Sequence, residues 1–154
     1  MTIPEGYFAI LKRDKASGSV GVRFAEHPDV ITYGDDFEHA EEMAKEALCA
    51  ALESDFERGV ELPTAKRPKL ARGEKTIFIR LDPDIWVAYL LRYWRERSGL
   101  TQKDLASRLG ISYQAYQRME RPGRSNVTVQ TLERIAEALG GQLIVDLRPR
   151  RKVG

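Results

Sequence analysis

The chain of 154 residues is long enough for one domain of ordinary size or for two small modules. Hydrophobic residues make up 42% and charged residues 31%, which allows a buried core together with a hydrated surface. No apolar run approaches the roughly 18 residues of a membrane span, and the N-terminal residues lack a basic segment followed by an apolar one. We therefore expect a cytoplasmic protein that has no signal peptide and no contact with a membrane.

Cysteine and histidine usage argues against a disulfide framework and against a metal site. Cys49 is the one cysteine, so no internal disulfide can form, and we expect a buried structural thiol. His27 and His39 have no cysteine partners at metal-ligand spacing and no H-E-x-x-H frame. We expect no metal and no cofactor, and surface or capping roles for both histidines.

The two halves of the chain carry opposite charge. Residues 1–62 hold 6 Lys and Arg against 14 Asp and Glu, a net charge of −8. Residues 63–154 hold 19 against 9, a net charge of +10. Halves of opposite sign predict partners of opposite charge. The basic half should favour nucleic acid, and the acidic half either a basic protein or simply good hydration.

The acidic half has the pattern of a small sheet covered by one helix. Short apolar segments separated by turn residues predict strands over 7–14, 20–24 and 30–33. Alanine and leucine residues that recur at spacings of three and four predict an amphipathic helix over about 37–58. Three antiparallel strands followed by a helix resemble the start of the ribonuclease H fold.

The boundary between the two halves lies in a segment without apolar periodicity. Residues 60–75 contain two prolines, a glycine and a cluster of basic side chains, which is typical of a linker or surface crossing. The segment "TIFIRL", 76–81, predicts a strand that could complete the sheet. We therefore predict an α+β fold in two domains. They are a β-β-β-α-β domain over 1–82 and an all-α domain over 83–154.

The basic half has the spacing of a helix-turn-helix. The T-x-x-D spacing of Thr101 and Asp104 predicts a helix from 102, which Gly110 ends, and Ser112 caps the next helix. Two short helices joined by three or four residues with a glycine place the second helix in the major groove. Any small helical domain also has polar outward residues and glycine turns, so a purely structural role remains the alternative reading of this spacing.

The periodicity assigns inward and outward faces to these helices. Before the turn, an apolar stripe predicts a helix that buries Val87, Leu90, Leu91 and Trp94. In the helix after Ser112, Tyr116 and Met119 should face inward. Gln can pair bidentately with adenine and Arg with guanine. The opposite, outward face carries such side chains: Tyr113, Gln114, Gln117 and Arg118.

The run "GLTQKDLASRLGISYQAYQRMER" followed by "TVQTLERIAEALG" resembles the Cro/C1-type, or XRE, repressor family across residues 84–140. By that resemblance the helix after Ser112 would read the DNA bases, and it is called the reading helix below. Gln102 would bind a phosphate and brace this helix, while Arg95 and Glu120 would form a structural ion pair. Tyr116 departs from the family, which usually has a smaller aliphatic residue there. By the same resemblance Tyr113, Gln114 and Arg118 would reach base edges, with Gln117 beside them. Phosphate contacts would come from residues around that helix: Lys103, Ser112, Arg121, Arg124 and Asn126.

The segment "QLIVDLR" near the C-terminus alternates apolar and polar residues, and it predicts a strand over about 143–147. An isolated terminal strand must pair with something. Pairing with its copy across a two-fold axis would give a homodimer, or part of a higher homo-oligomer, and such repressors bind two half-sites as dimers. The basic tail "RPRRK" should be attracted to phosphate.

The acidic half is similar to HicB antitoxins over residues 7–82. The T-Y-G-D and A-K-E-A-L elements match that family, whereas the segment after Phe24 lacks its usual proline and aspartate. The resemblance implies a degenerate ribonuclease H-like domain that binds HicA, a small basic messenger-RNA-cleaving toxin, and covers its active site. It also implies a C-terminal module that represses the operon by binding double-stranded operator DNA.

Two other functions are open to such a sequence. A two-metal nuclease needs carboxylates that converge from strand centres and a facing helix. The predicted strand centres "FAIL" and "IFIR" offer none, so we expect no catalytic residues and no enzyme activity. The other alternative is a plain XRE-family transcription regulator, whose N-terminal domain senses a small molecule or only dimerises.

Overall fold

A computed structural model of the chain describes residues 3–123 and 126–149. Arg124, one of the predicted phosphate contacts, lies outside these residues. Within them, four strands and five helices follow in the order β-β-β-α-β-α-α-α-α. The elements are β1 Gly6–Arg13, β2 Val20–Phe24, β3 Ile31–Gly34, α1 Phe37–Glu57, β4 Glu74–Arg80, α2 Pro83–Arg97, α3 Gln102–Leu109, α4 Tyr113–Met119 and α5 Val129–Ala138.

The strands form one antiparallel sheet in the order β3-β2-β1-β4. In the central strand β1, Ala9 lies opposite Phe24 of β2 on one side and Ile77 of β4 on the other. The predicted antiparallel sheet with a fourth strand is therefore confirmed. β4 begins at Glu74, two residues before the predicted strand, because Glu74 already pairs with Lys12.

Helix α1 covers one face of this sheet. Its buried residues recur every four positions, so they form one stripe along the helix. They are Ala40, Ala44, Leu48, Leu52 and Phe56. Small residues at the start of the stripe bring the helix close to β3. At Gly34 a β-carbon would lie 2.2 Å from the backbone nitrogen of Ala40. Only glycine fits at that position.

The segment predicted as a linker is held against the first domain. The hydroxyl of Tyr7 donates a hydrogen bond to the carbonyl of Pro63 (2.8 Å). The carboxylate of Glu26 accepts one from the backbone N–H of Lys66 (2.7 Å). Two apolar residues of the segment also pack against the core, Leu62 and Ala65. Residues 60–73 therefore form an ordered segment, called the strap here. It bonds to residues that lie 56 and 40 positions earlier in the chain.

Helix α2 is shared between two hydrophobic cores. One face contributes Ile85, Ala88 and Tyr89 to the core under the sheet, where the Tyr89 hydroxyl donates to the carbonyl of Leu52 (2.7 Å). Another face contributes Leu91 to the core of the helical domain. A boundary between residues 82 and 83 therefore does not separate the two cores.

This double role alters the predicted apolar stripe of α2. The buried residues of the helix are Ile85, Ala88, Tyr89, Leu91 and Arg95. Trp94, predicted to be inward, is 48% exposed. The prediction assumed that one face of α2 is buried. The helix packs against both domains, so residues on more than one of its faces are buried.

The predicted C-terminal strand is not formed in the single chain. Residues 142–149 have no regular secondary structure. Leu143 is half-buried, and three other apolar side chains are exposed, by 76% at Ile144, 63% at Val145 and 93% at Leu147. A strand needs a neighbour that satisfies its backbone groups, and within the described part of one chain no strand lies beside this segment. Among the same residues, no helix has both the length and the apolar character needed to cross a membrane.

Candidate nucleic-acid interface

Local hydrogen bonds and one glycine fix both ends of α3 and the start of α4. The hydroxyl of Thr101 accepts from the backbone N–H of Asp104 (3.1 Å), and the Asp104 carboxylate accepts from the N–H of Thr101 (2.8 Å). Gly110 ends α3 in the left-handed conformation, with φ of 67°. The hydroxyl of Ser112 then caps α4 by accepting from the N–H of Ala115 (3.1 Å). The two helices are joined as a helix-turn-helix requires.

Tyr116 fixes which face of α4 points outward. Its side chain is fully buried in the core of the helical domain, among Leu105, Leu109 and Ile135. Burial, followed by the nearby Glu120 carboxylate, raises the pKa of its hydroxyl, so the ring stays neutral. The large aromatic residue, which departs from the XRE pattern, therefore fills the core.

The outward face of α4 carries the predicted base-contacting residues. Gln114, Gln117 and Arg118 are exposed, and Tyr113 is half-buried. The side-chain amide of Gln117 donates to the Tyr113 hydroxyl (3.2 Å), and the ammonium of Lys103 lies 5.6 Å from the centre of the Tyr113 ring. Tyr113 is thus held between α3 and the middle of α4. The roles of these residues in reading bases stay predictions.

A buried ion pair joins α2 to the end of α4. The guanidinium of Arg95 donates from Nε to Glu120 Oε2 (2.8 Å) and from Nη2 to Glu120 Oε1 (2.6 Å). The Glu120 side chain is 0% exposed and that of Arg95 is 10% exposed. The hydrogen bonding to Glu120 raises the pKa of Arg95, which keeps the guanidinium charged. Arg95 also donates to the carbonyl of Leu100 (2.8 Å).

Gln102 extends this connection to α3. Its side-chain amide is half-buried and donates to Glu120 Oε1 (3.2 Å). The first residue of α3 is thereby tied to the residue that follows α4. The phosphate contact of Gln102 stays a prediction, since the amide nitrogen is engaged within the protein here.

The predicted phosphate-contacting residues differ in their surroundings. Lys103, Ser112 and Asn126 are exposed, and the first two lie at the start of α4, Lys103 near the Tyr113 ring and Ser112 as its cap. Arg121, by contrast, lies with Nη2 3.6 Å from Oε1 of Glu57, at the end of α1. One predicted phosphate contact therefore faces a carboxylate of the acidic domain.

Arg92 is a residue that the sequence patterns did not single out. Its guanidinium lies 3.2 Å from the centre of the Phe56 ring and donates to the Phe56 carbonyl (2.7 Å). Its Nε is also 3.9 Å from Oε1 of Glu120. Arg92 therefore connects α1 of the first domain with the ion pair at the end of the reading helix.

A cavity of about 290 Å³ lies beside Arg92, where the two domains meet. Its walls combine aromatic rings, Tyr89 and Tyr93, with the Arg95–Glu120 pair. Most of its charged groups already have partners within the protein, as Arg95 and Glu120 do.

Comparisons with known proteins find relatives of this chain. A helix-turn-helix family model matches residues 91–144. "Antitoxin HicB 1" of Photorhabdus laumondii subsp. laumondii is 30% identical over 130 residues, which are 84% of this chain and 79% of that protein. The crystal structure of the N-terminal domain of Burkholderia pseudomallei antitoxin HicB aligns with a TM-score of 0.44 and 19% identity, covering 49% of this chain and 96% of that chain. The chain therefore belongs to the HicB antitoxin family and carries a helix-turn-helix DNA-binding domain.

Proposed function

We propose that this chain is the antitoxin of a HicAB-type toxin–antitoxin pair. It binds and neutralises a small basic HicA-like toxin that cleaves messenger RNA, and it represses its own operon by binding operator DNA. One observation supports this most strongly. One chain joins an acidic domain to a basic domain, and the helix-turn-helix of the basic domain exposes the polar side chains of α4.

The DNA-binding half of the proposal rests on the exposed side chains of α4. Gln114, Gln117 and Arg118 project from the helix that enters the major groove, and each can hydrogen-bond to base edges. Nearby basic residues supply affinity through phosphates, so binding should weaken steeply with salt. DNA sequence specificity then comes from the side chains of α4, and affinity comes from the phosphate contacts of the basic residues around it.

A homodimer, or a higher homo-oligomer, follows from the requirement for two half-sites. Ile144, Val145 and Leu147 are exposed in the single chain, and the segment 142–149 can pair with the same segment of a second copy. Such pairing would satisfy the backbone groups of this segment and bury Ile144 or Val145.

The acidic domain acts by binding, with no catalytic role. The centre of its sheet is apolar, with Ala9, Leu11 and Ile77 at neighbouring positions on the face under α1. A net charge of −8 over residues 1–62 favours association with a cationic protein through steering and complementarity. Messenger RNA cleavage by the toxin and operator binding both take place in the cytoplasm, so we expect the protein there.

Co-expression with the protein encoded by the adjacent open reading frame tests this function. We expect the wild-type chain to restore growth that the neighbour inhibits, to co-purify with it, and to stop its cleavage of RNA. Arg118→Ala should keep all three activities and lose repression of the operon promoter. A chain that binds its promoter but never restores growth would refute the antitoxin assignment.

The cavity at the domain junction favours a second candidate, a plain XRE-family regulator whose N-terminal domain senses a small molecule or dimerises. In that case operator binding would respond to a small ligand, and growth rescue would be absent. The co-expression experiment therefore separates the two functions.

A further inference from the structure

One edge of the sheet exposes apolar side chains. β3 is the last strand on that side, and within the described residues its outer edge pairs with no other strand. Ile31 is 75% exposed and Tyr33 is 68% exposed. The register places Ile31 opposite Arg23 and Tyr33 opposite Gly21, so both side chains lie on the face away from α1. Exposed apolar residues on an open strand edge mark a site for association.

The opposite edge of the sheet is built differently. β4 carries charged residues near both ends, Glu74 and Lys75 at one and Arg80 at the other. Charged side chains are a common means by which edge strands avoid pairing with other chains. β3, with the sequence ITYG, contains no charged residue. Of the two edges, β3 is the one suited to accept another strand.

Acidic residues flank this apolar edge. Asp29 precedes β3, Asp35 and Asp36 follow it, and all three are exposed. The Asp35 side chain is 89% exposed. The cation beside Ile31, Arg23, is engaged by the Glu74 carboxylate at 2.9 Å. The edge therefore presents an apolar centre with negative charge at both ends.

This charge distribution decides between two occupants of the edge. If two copies of β3 paired antiparallel about Thr32, Asp29 of one copy would lie beside Asp35 of the other. Like charges directly opposite each other destabilise strand pairing. A segment with Lys or Arg at its ends would instead find complementary carboxylates at both ends. The edge favours a basic protein over a second copy of this chain.

We propose that β3 is the strand on which the basic toxin docks. An extended segment of the toxin adds to the free edge by main-chain hydrogen bonds, as in other cases of strand addition. Apolar residues of that segment contact Ile31 and Tyr33, while its basic residues contact Asp29 and Asp35. This inference rests on the proposed antitoxin function and locates its binding surface.

The test compares full-length variants for binding to the purified cognate toxin by titration calorimetry. The doubly substituted chain Ile31→Lys/Tyr33→Lys should bind the toxin on the order of 100-fold more weakly, because it loses two apolar contacts and repels a basic partner. Both residues are largely exposed, so the fold should persist, as circular dichroism can verify. Val129→Lys, a 61% exposed apolar residue of α5, is the matched control and should bind the toxin like wild type.

A second pair of variants tests the flanking charges. Asp29→Asn/Asp35→Asn should lower the association rate and flatten its salt dependence more than Glu42→Gln/Glu46→Gln on α1, which removes the same net charge from exposed positions of the helix. The outcomes are distinguishable. Failure of the wild-type chain to bind the toxin would overturn the antitoxin function itself. Wild-type binding that the Ile31→Lys/Tyr33→Lys chain retains in full would overturn docking on β3, as would a change in that variant confined to self-association.

Discussion

Replacing Glu120 by alanine tests how the reading helix is held in place. The substitution removes the acceptor of two hydrogen bonds from Arg95 and one from Gln102. It leaves the guanidinium of Arg95, whose side chain is 10% exposed, without its carboxylate partner. The end of α4 would then lose its connection to both α2 and α3.

The cost of this change can be bounded from the surroundings of Arg95. Removing one partner of a buried ion pair typically costs about 3–5 kcal/mol, because the remaining charge stays buried. Arg95 keeps the Leu100 carbonyl at 2.8 Å and the exposed carboxylate of Glu96 at 3.7 Å. We therefore expect Glu120→Ala to lower the free energy of unfolding by about 3 kcal/mol, at the low end of that range.

Urea denaturation followed by circular dichroism measures this loss, with the unfolding free energy taken by linear extrapolation. The double variant Arg95→Met/Glu120→Leu removes both charges and fills a similar volume, so it should recover most of the stability. A loss below about 1 kcal/mol for Glu120→Ala, or a double variant less stable than the single one, would refute the reasoning.

Three further predictions concern DNA binding and pH. Arg118→Ala should weaken operator binding by roughly 1–3 kcal/mol and relax preference at one base position, measured by fluorescence anisotropy on operator variants; equal loss on every sequence would contradict a base contact. Glu57→Gln removes the carboxylate 3.6 Å from Arg121 and should strengthen operator binding by up to about fivefold at low salt, since exposed pairs are worth at most about 1 kcal/mol; unchanged affinity would show that the pair does not compete with phosphate. Burial lowers the pKa of His27 below its unfolded value of about 6.5, so the unfolded state binds more protons at acid pH. The unfolding free energy should therefore fall as the pH drops from about 7 through 6.5 and below, and His27→Gln should lessen that fall. An equal fall in the His27→Gln chain would contradict this assignment.

Features that depend on neighbouring residues could be predicted from the sequence. The caps of α3 and α4 are examples, since Thr101, Asp104 and Ser112 bond to groups three residues away and Gly110 adopts its conformation locally. The strand alternation of β2 likewise reflects one covered face of the sheet. Such patterns survive folding because no distant contact overrides them.

Features that depend on distant residues could not be predicted in this way. The strap over residues 60–73 is fixed by Tyr7 and Glu26, which lie 56 and 40 positions from their partners. Arg92 contacts Phe56, 36 positions earlier in the chain. Composition alone left open whether this segment is a linker or a surface crossing, and it gave no role to Arg92. Side-chain spacing within one segment carries no information about such pairings.

The sharing of α2 by both cores has a consequence for how the molecule can be divided. A cut between residues 82 and 83 would give a helical fragment in which Ile85, Ala88 and Tyr89 are exposed to water. It would also give a sheet fragment whose core residues have lost their contacts with these three side chains. Neither piece would represent its half of the intact protein. Truncated chains made at this point should aggregate or unfold, so separate study of the two activities calls for point substitutions in the whole polypeptide.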